Sequence, residues 1–289
     1  MSMQQYLKPD TLAGLCQEIA MPEPAAETVC QLAAEETTLA AADFFGGLFS
    51  VQTGGEAVQQ IKEAFAGNDP RGLRMLTVML AAALKTKEDC LRRGISREVV
   101  RDTLACFSRF VTENYRRHSV WEFDRDFWAY RQLSLALFRV GALEYEMKAA
   151  GRAIGPAKAG GSVLSLHIPS DALLTRESLD ASYRAAKAFF ARFFPDFHYQ
   201  CAYCHSWIIS PGLQPLLPPG SKILTFQQDF DILEMEPDSD SYRLWLFQTD
   251  ETDPARFPEG TSLQCRAKAH LLAGGKLGEA LGVLKMGLL

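Results

Sequence analysis

The stretch Ser162–Pro195, "SVLSLHIPSDALLTRESLDASYRAAKAFFARFFP", decides the fold, because its periodicity changes halfway along. At its start Leu164, Leu166 and Ile168 fall on one side of an extended strand, and Val163, Ser165 and His167 fall on the other. From Thr175 onward the period is helical, with Leu179, Tyr183, Ala186, Phe190 and Phe193 on one face. Thr175 is the predicted N-cap, and Pro195 closes the segment. A strand that runs through a polar loop into a helix is the building unit of an open α/β sheet, whose ligands gather at the strand ends. His167 occupies that end. The loop "PSDALLT" then leads to a helix N-terminus whose N–H groups and positive dipole favour an anion, with Arg176 close at hand.

Working outward, "LFRVGALEYEMK", "YQCAYCHSWII", "KILTFQQDFDILE" and "YRLWLFQ" are short, rich in β-branched, aromatic or Leu residues, and bounded by Gly, Pro, Asp or Ser. Together with "SVLSLHIP" they predict five strands. "PGLQPLL" predicts a short helical piece, and "SLQCRAKAHLL" a last helix ended by Gly274 and Gly275.

The first part of the chain is helical in pattern. In "REVVRDTLACFSRFVTENYRRH" the residues Val100, Leu104, Phe107, Val111 and Tyr115 line one face of a predicted helix. Similar stripes run through "AETVCQLAAEETTLAAADFF" and "LRMLTVMLAAALKTKEDCL", separated by breakers such as "GNDPRG" and "RRGIS". A bundle of about five helices is expected. The α+β reading is therefore a helical domain over 1–120 followed by a mixed sheet with flanking helices over 121–289.

Composition narrows the function classes. With 289 residues, 47% of them hydrophobic, the chain can bury a substantial core. A net charge of −5 with scattered Lys and Arg offers no basic stripe for nucleic acid. No apolar run reaches membrane-spanning length and no export signal is legible, so a cytoplasmic protein is expected. Seven widely spread cysteines read as reduced thiols, most of them small core residues. A second copy of the chain could cover an edge of the sheet, so a homodimer is an open expectation.

The cluster "YQCAYCHSW", Tyr199–Trp207, is the densest group of reactive side chains. Cys201-x-x-Cys204-His205 matches the c-type haem string, which requires export, and a zinc site there would need further ligands such as His198 or Cys265. Strand parity places Cys201, Tyr203, His205 and Trp207 on one face and Ala202, Cys204, Ser206 and Ile208 on the other. A regular strand therefore brings neither Cys201 nor His205 to Cys204, and no metal is expected. Arg152-x-x-Gly155-x-Ala157 satisfies the R/Q-x-x-G-x-G/A phosphate string but lies between two strands, where a hairpin loop explains it better. "AGGKLGEALG" lacks the Lys-Ser/Thr ending of a P-loop.

"LFRVGALEYEM", "LHIPSDALLT" and "AKAFFARFFPDFHYQCAYCHSWIISPGLQPLLPPGSKILTFQQDF" resemble the C-terminal domain of a bacterial group of GNAT-like acyltransferase-domain proteins, which carry a helical N-terminal domain. The resemblance implies an acyl-CoA-dependent N-acyltransferase acting on a small-molecule amine by direct transfer, the rival being a non-catalytic GNAT-like module that binds a ligand or protein. It implies acyl-CoA between two splayed strands, with pantetheine beside His167, Ile168 and Pro169. Pyrophosphate would lie near Ser170, Thr175 and Arg176, and the acyl group toward Cys204, His205 and Trp207. His167 is the expected general base, with His205 or Glu144 as alternates, Ser206 polarising the thioester carbonyl and Cys204 as a conceivable nucleophile. The phosphate string is missing at the position that matters, which leaves "PSDALLTR" to bind phosphate by another geometry.

Overall fold

A computed structural model describes residues 2–289. The chain divides into two compact units, Met1–Arg139 and Val140–Leu289, so the helical unit runs past the change in sequence pattern near residue 120.

The first unit is built from α1 (Pro9–Glu18), α2 (Glu23–Ala33), α3 (Gly54–Ala64), α4 (Leu73–Arg92), α5 (Arg97–Leu104), α6 (Cys106–His118) and α7 (Asp126–Leu133), with short 3-10 turns between some of them. At its centre lies α4, whose run from Leu76 to Ala83 is buried on every side. Asp69 holds the start of α4 by accepting from the backbone N–H groups of Arg74 at 2.9 Å and Met75 at 2.7 Å. The stripe Val100–Leu104–Phe107–Val111 is buried as its spacing predicts, but the segment is two helices, α5 and α6, broken at Ala105. Tyr115, the last member of the stripe, is exposed.

From Leu137 onward the chain builds a six-stranded mixed sheet in the order β1-β2-β3-β4-β6-β5. The strands are β1 (Leu137–Val140), β2 (Leu143–Ala149), β3 (Ser162–His167), β4 (Ala202–Ser206), β5 (Phe230–Glu236) and β6 (Glu279–Leu284). β3 pairs with β2 antiparallel and with β4 parallel, and β6 pairs antiparallel with both β4 and β5. Helix α8 (Arg176–Phe193) connects β3 to β4, as the opening stretch predicts, and the Thr175 side chain accepts from the N–H of Ser178 at its N-terminus. Helices α9 (Lys222–Gln227) and α10 (Ser262–Leu272) follow. Among the described residues no helix is long and apolar enough to cross a membrane.

Several predicted elements take other forms. "LFRVGALEYEMK" is a hairpin, β1 and β2, turned at Gly141 with φ +70°. "KILTFQ" is the helix α9, capped by Ser221, and only the "FDILE" part of that segment is strand. "YRLWLFQ" is not a strand; Arg243–Phe247 forms a π-helical turn. Its Phe247 packs with Leu213, Phe257, Ala267 and Leu277 in a separate apolar cluster. The Gly-rich "GEALGVL" supplies β6, which sits inside the sheet between β4 and β5.

Alternation sorts the sheet into two faces. Tyr145, Leu164, Leu166 and Cys204 point to the face covered by α8, where Tyr145 meets Phe190 and its hydroxyl lies 2.9 Å from Ser182 Oγ. Also on that side, buried Asp229 accepts from Tyr183 Oη at 2.9 Å and from Arg176 Nη1 at 2.6 Å, while its carbonyl accepts from Lys285 N at 2.8 Å. Burial, reinforced by the Asp229 charge, pushes the Tyr183 phenol well above its ordinary value. Removing that hydroxyl with Tyr183→Phe deprives a buried carboxylate of a charge-assisted hydrogen bond, and is expected to cost about 1.5–3 kcal/mol in urea unfolding. An unchanged midpoint would mean that Arg176 alone satisfies Asp229.

Candidate functional site

The other face of the sheet carries the polar groups. Register places Glu144 opposite His167, Glu146 opposite Ser165 and Lys148 opposite Val163, so all six share this face. The parallel pairing of Ser165 with Tyr203 and the antiparallel pairing of His205 with Leu281 extend the face across β4 and β6. Over its middle, the loop after β2 folds back. Ile154 and Ala157 form an isolated bridge and pack with Val163, Cys201, Tyr203 and Leu281. Gly155 has φ +52°, and an added Cβ would lie 2.9 Å from Val283 Cγ2. Arg152 is ion-paired with Glu234. The R-x-x-G-x-A string is thus the hairpin connection between β2 and β3.

His167 lies at the open end of this face. Its Nε2 is 2.9 Å from Oε2 of Glu146, a carboxylate only 6% exposed in its side chain. An ionised carboxylate can only accept, so Nε2 is the donor of this hydrogen bond. Glu144 is equally buried but stands straight across the ladder from His167, while the hydrogen bond runs diagonally to Glu146. The sequence reading chose Glu144 and missed Glu146; the "E-x-E" spacing, which puts both carboxylates on one strand face, was the signal for it.

The parallel ladder between β3 and β4 is short. Among the described residues it comprises Leu164 with Ala202 and Ser165 with Tyr203, although β3 continues to His167 and β4 to Ser206. Beyond Ser165 and Tyr203 the two strands therefore part, with His167 on one arm and His205 on the other. Backbone N–H and C=O groups along such a gap can hydrogen-bond an extended, amide-bearing ligand.

The other predicted residues fall into distinct places. Cys204 is fully buried on the α8 face; burial, aided by the charge of Glu279, pushes its thiol well above the ordinary range, which makes it a poor nucleophile. Cys201 and His205 point to the opposite face from Cys204, so the three do not converge on a metal. Ser206 Oγ accepts from Ile208 N at 3.3 Å and starts the 3-10 turn that holds Trp207, whose ring packs against the Leu213 cluster. His205 Nε2 instead sits 3.2 Å from Glu236 and 3.6 Å from Glu279. Past His167, Ile168 is half-buried, Pro169 buried and Ser170 exposed. Arg176, placed by α8 at the expected anion position, already pairs with Asp229 and, at 2.7 Å, with Asp180.

The sequence matches the family model of the GNAT-like C-terminal domain over residues 137–284 and that of the N-acyltransferase N-terminal domain over residues 10–135. A crystal structure of an acyltransferase in complex with decanoyl-CoA and teicoplanin is similar with a TM-score of 0.81 at 21% identity, covering 96% of this chain and 88% of that one. A complex of an acyltransferase with CoA and 10C-Teicoplanin gives 0.79 at 21% identity over 94% and 87% of the two chains. No curated protein matches the chain. At this level of identity the likeness to the solved structures is one of fold.

Thiol labelling tests the burial at the site. In the native protein at mildly alkaline pH, exposed Cys265 is expected to react first with iodoacetamide. Cys16 and Cys90, pushed by burial to about 12, and Cys204 should label only after unfolding, as peptide mass spectrometry would show. Early labelling of Cys204 would contradict its placement.

Proposed function

Because the chain belongs to the GNAT-like C-terminal domain family and carries an N-acyltransferase N-terminal domain ahead of it, we propose that it moves an acyl group from an acyl-CoA thioester to an amine. The observation that carries this reading is His167, oriented by Glu146, at the point where β3 and β4 part. Acyl-CoA as donor is further supported by the solved acyltransferases of the same fold, which hold decanoyl-CoA and CoA.

In the proposed reaction the pantetheine arm lies along the gap beside His167, Ile168 and Pro169 and hydrogen-bonds to the strand edges. The pyrophosphate is received by the N–H groups at the start of α8, near Ser170 and Thr175. Arg176 contributes little charge there, since its guanidinium is shared between Asp180 and Asp229. The incoming ammonium gives a proton to His167, and the resulting imidazolium is stabilised by the buried Glu146 carboxylate. The neutral amine then attacks the thioester carbonyl, whose oxygen is polarised by a backbone N–H. As the C–N bond forms and the C–S bond breaks, the attacking nitrogen gives up its second proton to the departing thiolate, and CoA leaves as the free thiol. The buried thiol of Cys204 favours this direct transfer over an acyl-enzyme.

The second reading, a module that kept the cleft without the chemistry, draws on the ion-paired state of Arg176, which leaves the anion end of the cleft without a dedicated cation.

Two measurements separate these readings. A CoA thioester that binds only the native chain at about a hundredfold over its Kd should stabilise it by roughly 2.7 kcal/mol, and a rise in Tm that grows with acyl length would identify the donor. No shift with any thioester would remove acyl-CoA from both readings. With an amine acceptor in hand, His167→Ala is expected to lower kcat by about 10²–10⁴-fold and Glu146→Gln by a smaller factor, both with the thioester-dependent Tm rise retained. Undiminished turnover by a folded His167→Ala protein would exclude it as the base.

A further inference from the structure

Three strands of the sheet bring one imidazole and two carboxylates together away from His167. Glu236, at the end of β5, is the direct cross-strand neighbour of Glu279, at the start of β6. Like charges facing each other across an antiparallel pair repel. His205, on β4, comes from the other side of β6 and places Nε2 3.2 Å from Glu236 Oε1 and 3.6 Å from Glu279 Oε1. All three ligand atoms lie within 4.8 Å of one another.

We propose that His205, Glu236 and Glu279 bind a single divalent cation of the zinc type. The proposal is independent of the acyl-transfer reading and assigns the ion no step in it. The spacing carries the argument. Zinc lies about 2.0–2.2 Å from imidazole nitrogen and carboxylate oxygen, so two ligands at corners of a tetrahedron around it are roughly 3.4 Å apart. The separations from His205 to the two carboxylates straddle that value. An ion placed among them also turns the Glu236–Glu279 repulsion into attraction.

The surroundings fit such a site. Ser241 Oγ donates to Glu279 Oε2 at 2.7 Å, the kind of outer hydrogen bond that orients a ligating carboxylate and leaves its other oxygen toward the metal. His205 and Glu236 have side chains 36% and 47% exposed, which leaves a fourth position for water. The nearby cation Arg152 forms its ion pair with Glu234 rather than with either of these carboxylates. Mixed imidazole and carboxylate donors suit zinc and its first-row neighbours better than magnesium, which takes oxygen ligands in a near-ideal octahedron. The Cys204 thiol, on the opposite face, stays outside the ligand set.

The test uses the full chain, reduced and freed of metal with a chelator. Calorimetric titration with Zn²⁺ is expected to saturate at one equivalent and to raise Tm, and Co²⁺ is expected to give d–d absorption without a thiolate charge-transfer band. His205→Ala should weaken Zn²⁺ binding by at least about tenfold. Glu236→Gln, on the exposed edge strand, should do the same and serves if the first variant fails to fold. No saturable Zn²⁺ site, a thiolate band with Co²⁺, or equal affinity in both variants would overturn the proposal. So would Mg²⁺ raising Tm as far as Zn²⁺, since the carboxylates would then be acting as a simple acidic patch.

Discussion

The parallel pairing of β3 with β4 extends over two residue pairs, Leu164 with Ala202 and Ser165 with Tyr203, and the arrangement of the site depends on its stopping there. Each strand is held firmly on its far side, β3 by six pairs with β2 and β4 by four with β6, so the gap does not loosen the sheet. What it leaves is a wedge with backbone hydrogen-bonding groups on both walls. Helix α8 follows β3 through the loop beyond His167, and its N-terminus is capped by Thr175.

Alternation along the strands then distributes the chemistry. One face buries Tyr145, Leu166 and Cys204 under α8, and the other gathers Glu144, Glu146, His167, His205, Glu279 and Glu236. Within that second face the two histidines have different partners. His167 is tied to a buried carboxylate on β2, whereas His205 is tied to two more exposed carboxylates on β5 and β6. This separation gives the two histidines different surroundings, one enclosed beside a single carboxylate and the other more open between two.

The elements that were legible in the sequence are those whose signal is local. The alternation of "SVLSLH", the cap at Thr175, the stop before Pro195 and the face parity around Cys204 all follow from side-chain spacing within one segment, and all are present. The failures lie where distant packing decides. "KILTFQ" is an apolar run that periodicity cannot assign, and its helical form is fixed by the Ser221 cap and by Phe226 packing on Phe230. β6 was hidden by its glycine. A Cβ at Gly282 would lie 3.1 Å from Ile232 Cδ1 and 3.2 Å from Ile209 Cδ1, so this residue is small because β6 is crowded, and its strand character comes from β4 and β5 on either side. At the candidate site, His167 is legible from its place at a strand end and the E-x-E spacing offers both Glu144 and Glu146, but choosing between these two, and finding Glu236 and Glu279, requires the register between strands. The helical unit extends to Arg139 because α7 follows the stretch where the composition changes.

β5 is an outer strand of the sheet, and its outward N–H and C=O groups present a template on which another chain could add. Its apolar residues Ile232, Leu233 and Met235 are exposed, a pattern that invites self-association. Asp231, Glu234 and Glu236 stand along the same strand at near-regular intervals. When two such edges approach antiparallel, carboxylate meets carboxylate, so the charges that equip this corner for a cation also oppose edge-to-edge pairing of two copies.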